Sequence, residues 1–316
     1  MLSISMIAAA LTGCGGAKDE SRPETAPEKT PQKMVFTYVT APLNVPTIVE
    51  KEKGIFANEL KDMGIEVEYA ELTSGADQTQ ALASGDVQVL YAVGATSVIL
   101  SAANGADIKV LNMYSRSPKA FCLYAQEDTI SSPEDLRGKT IAGPTGTILH
   151  ELLVAYLKTA DMTIEDVNYV NMTIPEAKAG LDGGSVDVAL VAGATAYQAK
   201  QQGYHLITDG EGLVDAIIAV AVTDEFYNQH PEIIQKITSA QEKVAKYMKE
   251  NEKEAMELTA KALDLEVDAV EEMVKDYDFS TKITEEDKRG FQKTADFMYE
   301  TGMIEKELDV NTLFYK

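Results

Sequence analysis

Tryptophan is absent from the 316 residues, cysteine occurs twice, histidine three times, and 28 basic residues face 51 acidic ones. Each shortage excludes something. The formal charge of −23 removes nucleic acid as a partner, because phosphate binding needs clustered Lys and Arg to displace counterions. His150, His205 and His230 are scattered, with no HExxH or paired metal spacing and no Ser-His-Asp grouping, so no metal, cofactor or catalytic centre is expected. No stretch reaches the roughly 20 apolar residues of a membrane-spanning helix. The longest apolar run, Leu2 to Leu11, is broken by Ser3 and Ser5. With Cys14 assigned elsewhere, Cys122 in the apolar run Ala120 to Tyr124 reads as a small buried hydrophobe, and no disulfide is expected.

What is present begins with that first apolar run, which ends in Leu11-Thr12-Gly13-Cys14 followed by two glycines. Small residues before a cysteine, after an apolar segment, look like a bacterial lipobox. The resemblance implies a signal peptide over 1–13 and lipidation of Cys14. Its acyl chains would hold the protein to the outer face of the cytoplasmic membrane. No Lys or Arg precedes Lys18, so the basic segment usual in such a leader is expected upstream of Met1. Residues 14–33, rich in Pro, Glu, Lys, Ser and Thr, have the composition of a disordered tether.

From Met34 onward short apolar strands alternate with amphipathic segments: Val35 to Val39, Thr47 to Lys61, Ile65 to Ala70, Asp77 to Ser84 and Val87 to Val93. This predicts a βαβαβ unit with a parallel sheet. The same order returns at Thr140 to Ala142, Ile148 to Lys158, Val167 to Asn171, Pro175 to Leu181 and Val186 to Val191. At an offset of 99, Leu82 to Thr96 matches Leu181 to Thr195 at seven of fifteen positions, and both copies end in Gly-Ala-Thr. Two related lobes are therefore expected. In an open parallel sheet, ligands bind beyond the carboxyl ends of the strands, where both Gly-Ala-Thr loops would lie, facing one cleft. After a strand at Ile217 to Val222, helices are predicted over Pro231 to Ala262, Glu266 to Val274 and Glu285 to Tyr299, packing on the first lobe.

These features, with the segments ALASGDVQV, LRGKTIAGPTGTILHELLVAYL and AGLDGGSVDVALV, resemble the NMT1/THI5-like branch of ABC substrate-binding proteins, which includes sulfonate, taurine, nitrate and thiamine-precursor binders. The resemblance spans Met34 to the C-terminus and implies an α/β type II periplasmic-binding fold, two βαβ lobes joined by a hinge around a ligand cleft. Lobe one would take 34–115 and 219–316, lobe two 119–215, with crossings at 116–118 and 216–218. The function it implies is the extracytoplasmic solute-binding component of an ABC importer. Such a monomer would carry a small anionic or heteroaromatic solute to permease and ATPase subunits.

By the same resemblance, Thr145, Gly146 and Thr147 would meet the ligand's polar head, where the first turn of the following helix offers N–H donors; a plain helix cap is the competing reading. Thr40, Ala41, Pro42 and Leu43, then Ser74, Gly75 and Ala76, then Gly94, Ala95 and Thr96 would line the cleft from lobe one, and Gly193, Ala194 and Thr195 from lobe two. Tyr114 would stack on a ligand ring. Arg116 would pair with its anionic group or else bridge the hinge to acidic surface. Eukaryotic members of this branch make the thiamine pyrimidine with a cysteine-rich motif, which two cysteines cannot supply, so no enzyme is expected. A ligand-sensing surface lipoprotein signalling to a receptor stays open beside transport.

Overall fold

The computed structural model describes residues 30–315. The expected signal peptide, Cys14 and almost all of the tether lie outside the described residues. The tether stops one residue earlier than expected, because Lys33 already pairs with Glu66 across the first two strands and its ammonium meets the Glu68 carboxylate at 3.0 Å.

Strand β1 (Lys33–Thr37) is followed by α1 (Val45–Lys53) and α2 (Ile55–Leu60). A single helix over Thr47 to Lys61 was expected; Gly54, at φ +61°, breaks it. The second helix starts afresh because the buried Glu50 carboxylate accepts from the Phe56 N–H at 3.0 Å, in place of the missing helical carbonyl. Next come β2 (Glu66–Ala70) and α3 (Gly75–Ser84), the latter capped by the Ser74 hydroxyl accepting from the Asp77 N–H. Then follow β3 (Leu90–Gly94), α4 (Ala95–Ala103) and β4 (Lys109–Arg116).

The second lobe runs through β5 (Phe121–Ala125), β6 (Thr140–Gly143), α5 (Ile148–Lys158), β7 (Asn168–Asn171), α6 (Ile174–Asp182), β8 (Val188–Ala192), α7 (Gly193–Gln201) and β9 (His205–Asp209). The chain returns through β10 (Ile217–Val222) to α8 (Asp224–Gln229), α9 (Pro231–Glu250), α10 (Glu252–Leu263), α11 (Val267–Met273) and α12 (Glu285–Glu300). The long helix expected over Pro231 to Ala262 is two, because Asn251 leaves helical geometry and its side-chain amide and N–H both turn back to the Tyr247 carbonyl.

The expected βαβαβ units form with their three strands parallel, but neither sheet is purely parallel, because each adds an antiparallel strand. In the first lobe the order is β2-β1-β3-β10-β4, with β1 joined to β3 by the parallel bridge of Phe36 to Val89. In the second it is β7-β6-β8-β5-β9. The two orders are one plan: three parallel strands, then an antiparallel strand, then an outer one. In each lobe the antiparallel strand is the one that has just crossed from the other lobe. The fifteen-residue self-match is thus the β3–α4 corner of one lobe and the β8–α7 corner of the other.

The crossings run side by side, the Ser117 N–H meeting the Ala216 carbonyl at 3.4 Å. The terminal helices cover lobe one, α9 and α10 against α1 and α12 against α4. No helix among the described residues is long and apolar enough to cross a membrane.

Candidate ligand cleft

The carboxyl ends of the two sheets face each other, and the loops beyond them touch. The Pro42 carbonyl of lobe one accepts from the Ala194 N–H of lobe two at 3.0 Å. Gly193 has φ +52°, and a Cβ there would stand 1.8 Å from that carbonyl oxygen, so glycine is what allows this approach. Ser97 donates to the Gly146 carbonyl at 3.0 Å, and Gly94 packs on Ile148. Thr96, 0% exposed, meets the Glu151 carboxylate at 2.5 Å, and Thr294 of α12 donates to its other oxygen at 2.9 Å. The lobes are closed on one another.

Both Gly-Ala-Thr segments are the first turns of helices and not loops. The reason is local: Gly94 ends β3 and Gly193 directly follows β8, and the small residues after each enter the helix at once. Three helix N-termini, those of α4, α5 and α7, therefore open on the boundary between the lobes. At α5 the first backbone bond runs from the Glu151 N–H to the Thr147 carbonyl, so the N–H groups of the first turn have no helical partner. The loop before it is held from within. The Thr147 hydroxyl donates to the Pro144 carbonyl, the Thr145 N–H to Asn171 Oδ1, and the Gly146 N–H to His150 Nδ1. His150 stacks on Tyr169 with ring centroids 4.9 Å apart, and burial pushes its pKa below the usual imidazole value.

Thr40 is half-buried, and Ala41 and Thr145 are exposed. Ser74 is occupied as a helix cap, Gly75 packs on Ser97, and Ala76 borders a cavity of about 260 Å³ shared with Ser97 and Gly146. Thr195 lies in the first turn of α7, half-buried.

Three expected contacts are corrected. Leu43 is fully buried among Val45, Val49 and Val244, because the chain turns inward to start α1. Tyr114 is 1% exposed: its ring packs on Tyr91 and Phe279 and its hydroxyl meets Thr47 at 2.8 Å, so nothing is left to stack on a ligand. The Arg116 guanidinium is spent on Asp287, at 2.6 and 2.7 Å, and on Ser280 and Lys282, all in the C-terminal segment of its own lobe.

Residues missed in the sequence are Asn44, whose amide ties the Val39 and Ala41 carbonyls at 2.9 Å each, together with Asn171, Tyr169 and Glu151. Glu151 had a signal: it is the acid inside the apolar run Ile148 to Leu157. The structure adds an irregularity at Ala92, whose φ of +84° sits opposite a register shift in β10. There Thr37 Oγ1 accepts from the Tyr91 N–H and lies 3.2 Å from the Tyr91 carbonyl, replacing the ladder so that β3 can bulge.

Two lobes of one plan, two crossings and a closed seam lined by strand ends define a periplasmic-binding fold built to hold a solute between its halves. The NMT1/THI5 like family model matches residues 42–255. The chain belongs to that family. It is 28% identical over 269 residues, 84% of this chain and 81% of the relative, to a protein of Bacillus subtilis (strain 168) whose name proposes binding of aliphatic sulfonates. It is 32% identical over 193 residues, 60% of this chain and 58% of the relative, to the taurine-binding periplasmic protein of Escherichia coli (strain K12). The fold matches the alkanesulfonate-binding protein SsuA from Xanthomonas axonopodis pv. citri bound to MOPS, at a TM-score of 0.82 and 18% identity over 91% of this chain and 99% of that one. It also matches the periplasmic aliphatic sulphonate binding protein SsuA from Escherichia coli, at 0.77 and 20% over 91% and 93%.

Proposed function

We propose that this chain is the extracytoplasmic solute-binding component of an ABC importer, anchored by a lipidated Cys14, and that its solute is a small organic anion of the sulfonate class. The observation that carries the reading is the seam between the lobes. Three helix N-termini open on it, and the segments 40–43, 74–77, 94–97, 143–147 and 192–195 contain no Lys, Arg or His. Such a site meets negative charge with backbone N–H groups and hydroxyls instead of an ion pair, which suits a compact, permanently charged head. Relatives named for sulfonates and taurine support the same class. The chain acts without catalysis, as a monomer, and passes its solute to permease and ATPase subunits.

A thermal-shift panel of alkanesulfonates, taurine, carboxylates and pyrimidines tests the class directly. A ligand at 100 times its dissociation constant stabilises by about 2.7 kcal/mol. Shifts confined to sulfonates are expected; shifts confined to carboxylates or pyrimidines would replace the solute class while leaving the binding role. Loss of sulfonate uptake on deletion of the gene is expected, and undiminished uptake would argue for sensing in place of transport. Mass analysis of the membrane-bound protein for an acylated Cys14 tests the anchor.

A further inference from the structure

Glu151 is 5% exposed, sits on α5 of lobe two, and spends both carboxylate oxygens on hydroxyls of lobe one: Thr96 of α4 at 2.5 Å and Thr294 of α12 at 2.9 Å. It is a carboxylate buried in the seam, and opening the lobes would return it to water. Beside it lies a cavity of about 470 Å³ between α5 and α12, through which protons can reach it. The charged groups around that cavity are Asp215 at the return crossing and Arg289, Lys293, Asp296 and Glu300 on α12, with Lys293 paired to Asp215 at 3.5 Å. On the α4 side the group meets the Thr96 hydroxyl.

We propose that Glu151 is a proton-coupled latch: the lobes close on the solute as its carboxyl takes up a proton, so capture is favoured as pH falls and release as pH rises. This deepens the solute-binding reading and rests on it. Burial is the largest influence on the group and disfavours its charge; the Thr96 and Thr294 hydrogen bonds and Lys293 oppose burial, and Asp215 adds to it, leaving the pKa raised. In the open form the carboxyl, in water, keeps its ordinary value. A pKa higher in the closed form means closure binds a proton. Its contribution to closure is complete below the open-form value and is lost as pH rises through the closed-form value. The protonated acid keeps both neighbours, since each hydroxyl can donate or accept.

Small-angle scattering of the solute-free full chain across pH 5 to 8 tests the latch without assuming a ligand. The wild type should expand as pH rises, while Glu151→Gln stays equally compact throughout. Thr294→Val, which removes one donor and leaves the carboxyl, should deepen the expansion at high pH and provides the reading if the Gln variant folds poorly. Calorimetry with ethanesulfonate, whose charge is constant over this range, should show proton uptake on binding. Affinity should fall with rising pH, about tenfold for each pH unit by which closure raises the pKa. Coincident scattering profiles for wild type and Glu151→Gln, or expansion on lowering the pH, would overturn the latch. If ethanesulfonate fails to bind while the profiles still diverge, the solute class is wrong and the latch stands.

Discussion

At the scale of single residues, buried charge and close approach set the consequences. Glu50 is fully buried, accepts from the Phe56 N–H and from the Tyr69 hydroxyl on both oxygens, and burial pushes its pKa from 4.5 to about 7. Its raised value means that it stabilises the fold fully below pH 4.5 and that this contribution is lost as pH rises through 7, amounting to roughly 3 kcal/mol. Urea unfolding of wild type and Glu50→Gln should show a stability difference that changes by about that amount between pH 4 and pH 8; a pH-independent difference would refute the assignment. Arg116→Ala leaves Asp287, 3% exposed, without its cation, and should cost about 3 kcal/mol or more with solute affinity unchanged once the protein is folded. A selective loss of affinity would return Arg116 to the site.

At the scale of elements, the corner between strand and helix decides closure. Gly193→Ala would drive a methyl group into the Pro42 carbonyl. The folded lobes should persist but fail to meet, and affinity should drop about a hundredfold, the equivalent of roughly 2.7 kcal/mol. Unaltered binding would mean that the seam around Pro42 is not needed to hold solute. In the loop before α5, Thr147 already donates to Pro144, whereas Thr145 is exposed. Thr145→Ala should therefore weaken binding by one hydrogen bond to a charged group, about 1.5 to 3 kcal/mol, with little change in melting temperature. Thr147→Ala should lower the melting temperature first. Titration calorimetry and melting curves of the two single variants separate these outcomes.

The same scale shows what could be read in advance. Strand β10 and helix α5 have the bounds predicted for them, because uninterrupted apolar or amphipathic periodicity is a local property. The break at Gly54 was not anticipated, since the carboxylate that starts the next helix comes from Glu50, a full turn earlier. Strands β4 and β9 were passed over. Leu111, Met113, Asn112 and Arg116 follow no clean alternation along β4, which takes both a core and the C-terminal segment as neighbours.

Across the whole molecule, the lobes are clasped at three kinds of contact. The exposed pairs Lys158–Glu300 and Lys200–Glu272 join α5 to α12 and α7 to α11; each is worth little in salt. At Pro42 the approach that glycine permits is closed by the Ala194 N–H, and the Glu151 and Ser97 contacts are buried and barely screened. Closure should thus respond weakly to ionic strength and strongly to pH.

The sequence by itself determined the duplicated plan, the family and the segments beyond each strand, because periodicity, glycine turns and a fifteen-residue self-match are carried by neighbouring residues. Tertiary structure decided which side chains belong to the cleft. Tyr114 and Arg116 fell to the core and the C-terminal segment, and Glu151 was drawn into the seam. A side chain's partners across 55 or 171 positions of chain follow from how two lobes and a returning tail pack, which no local pattern encodes.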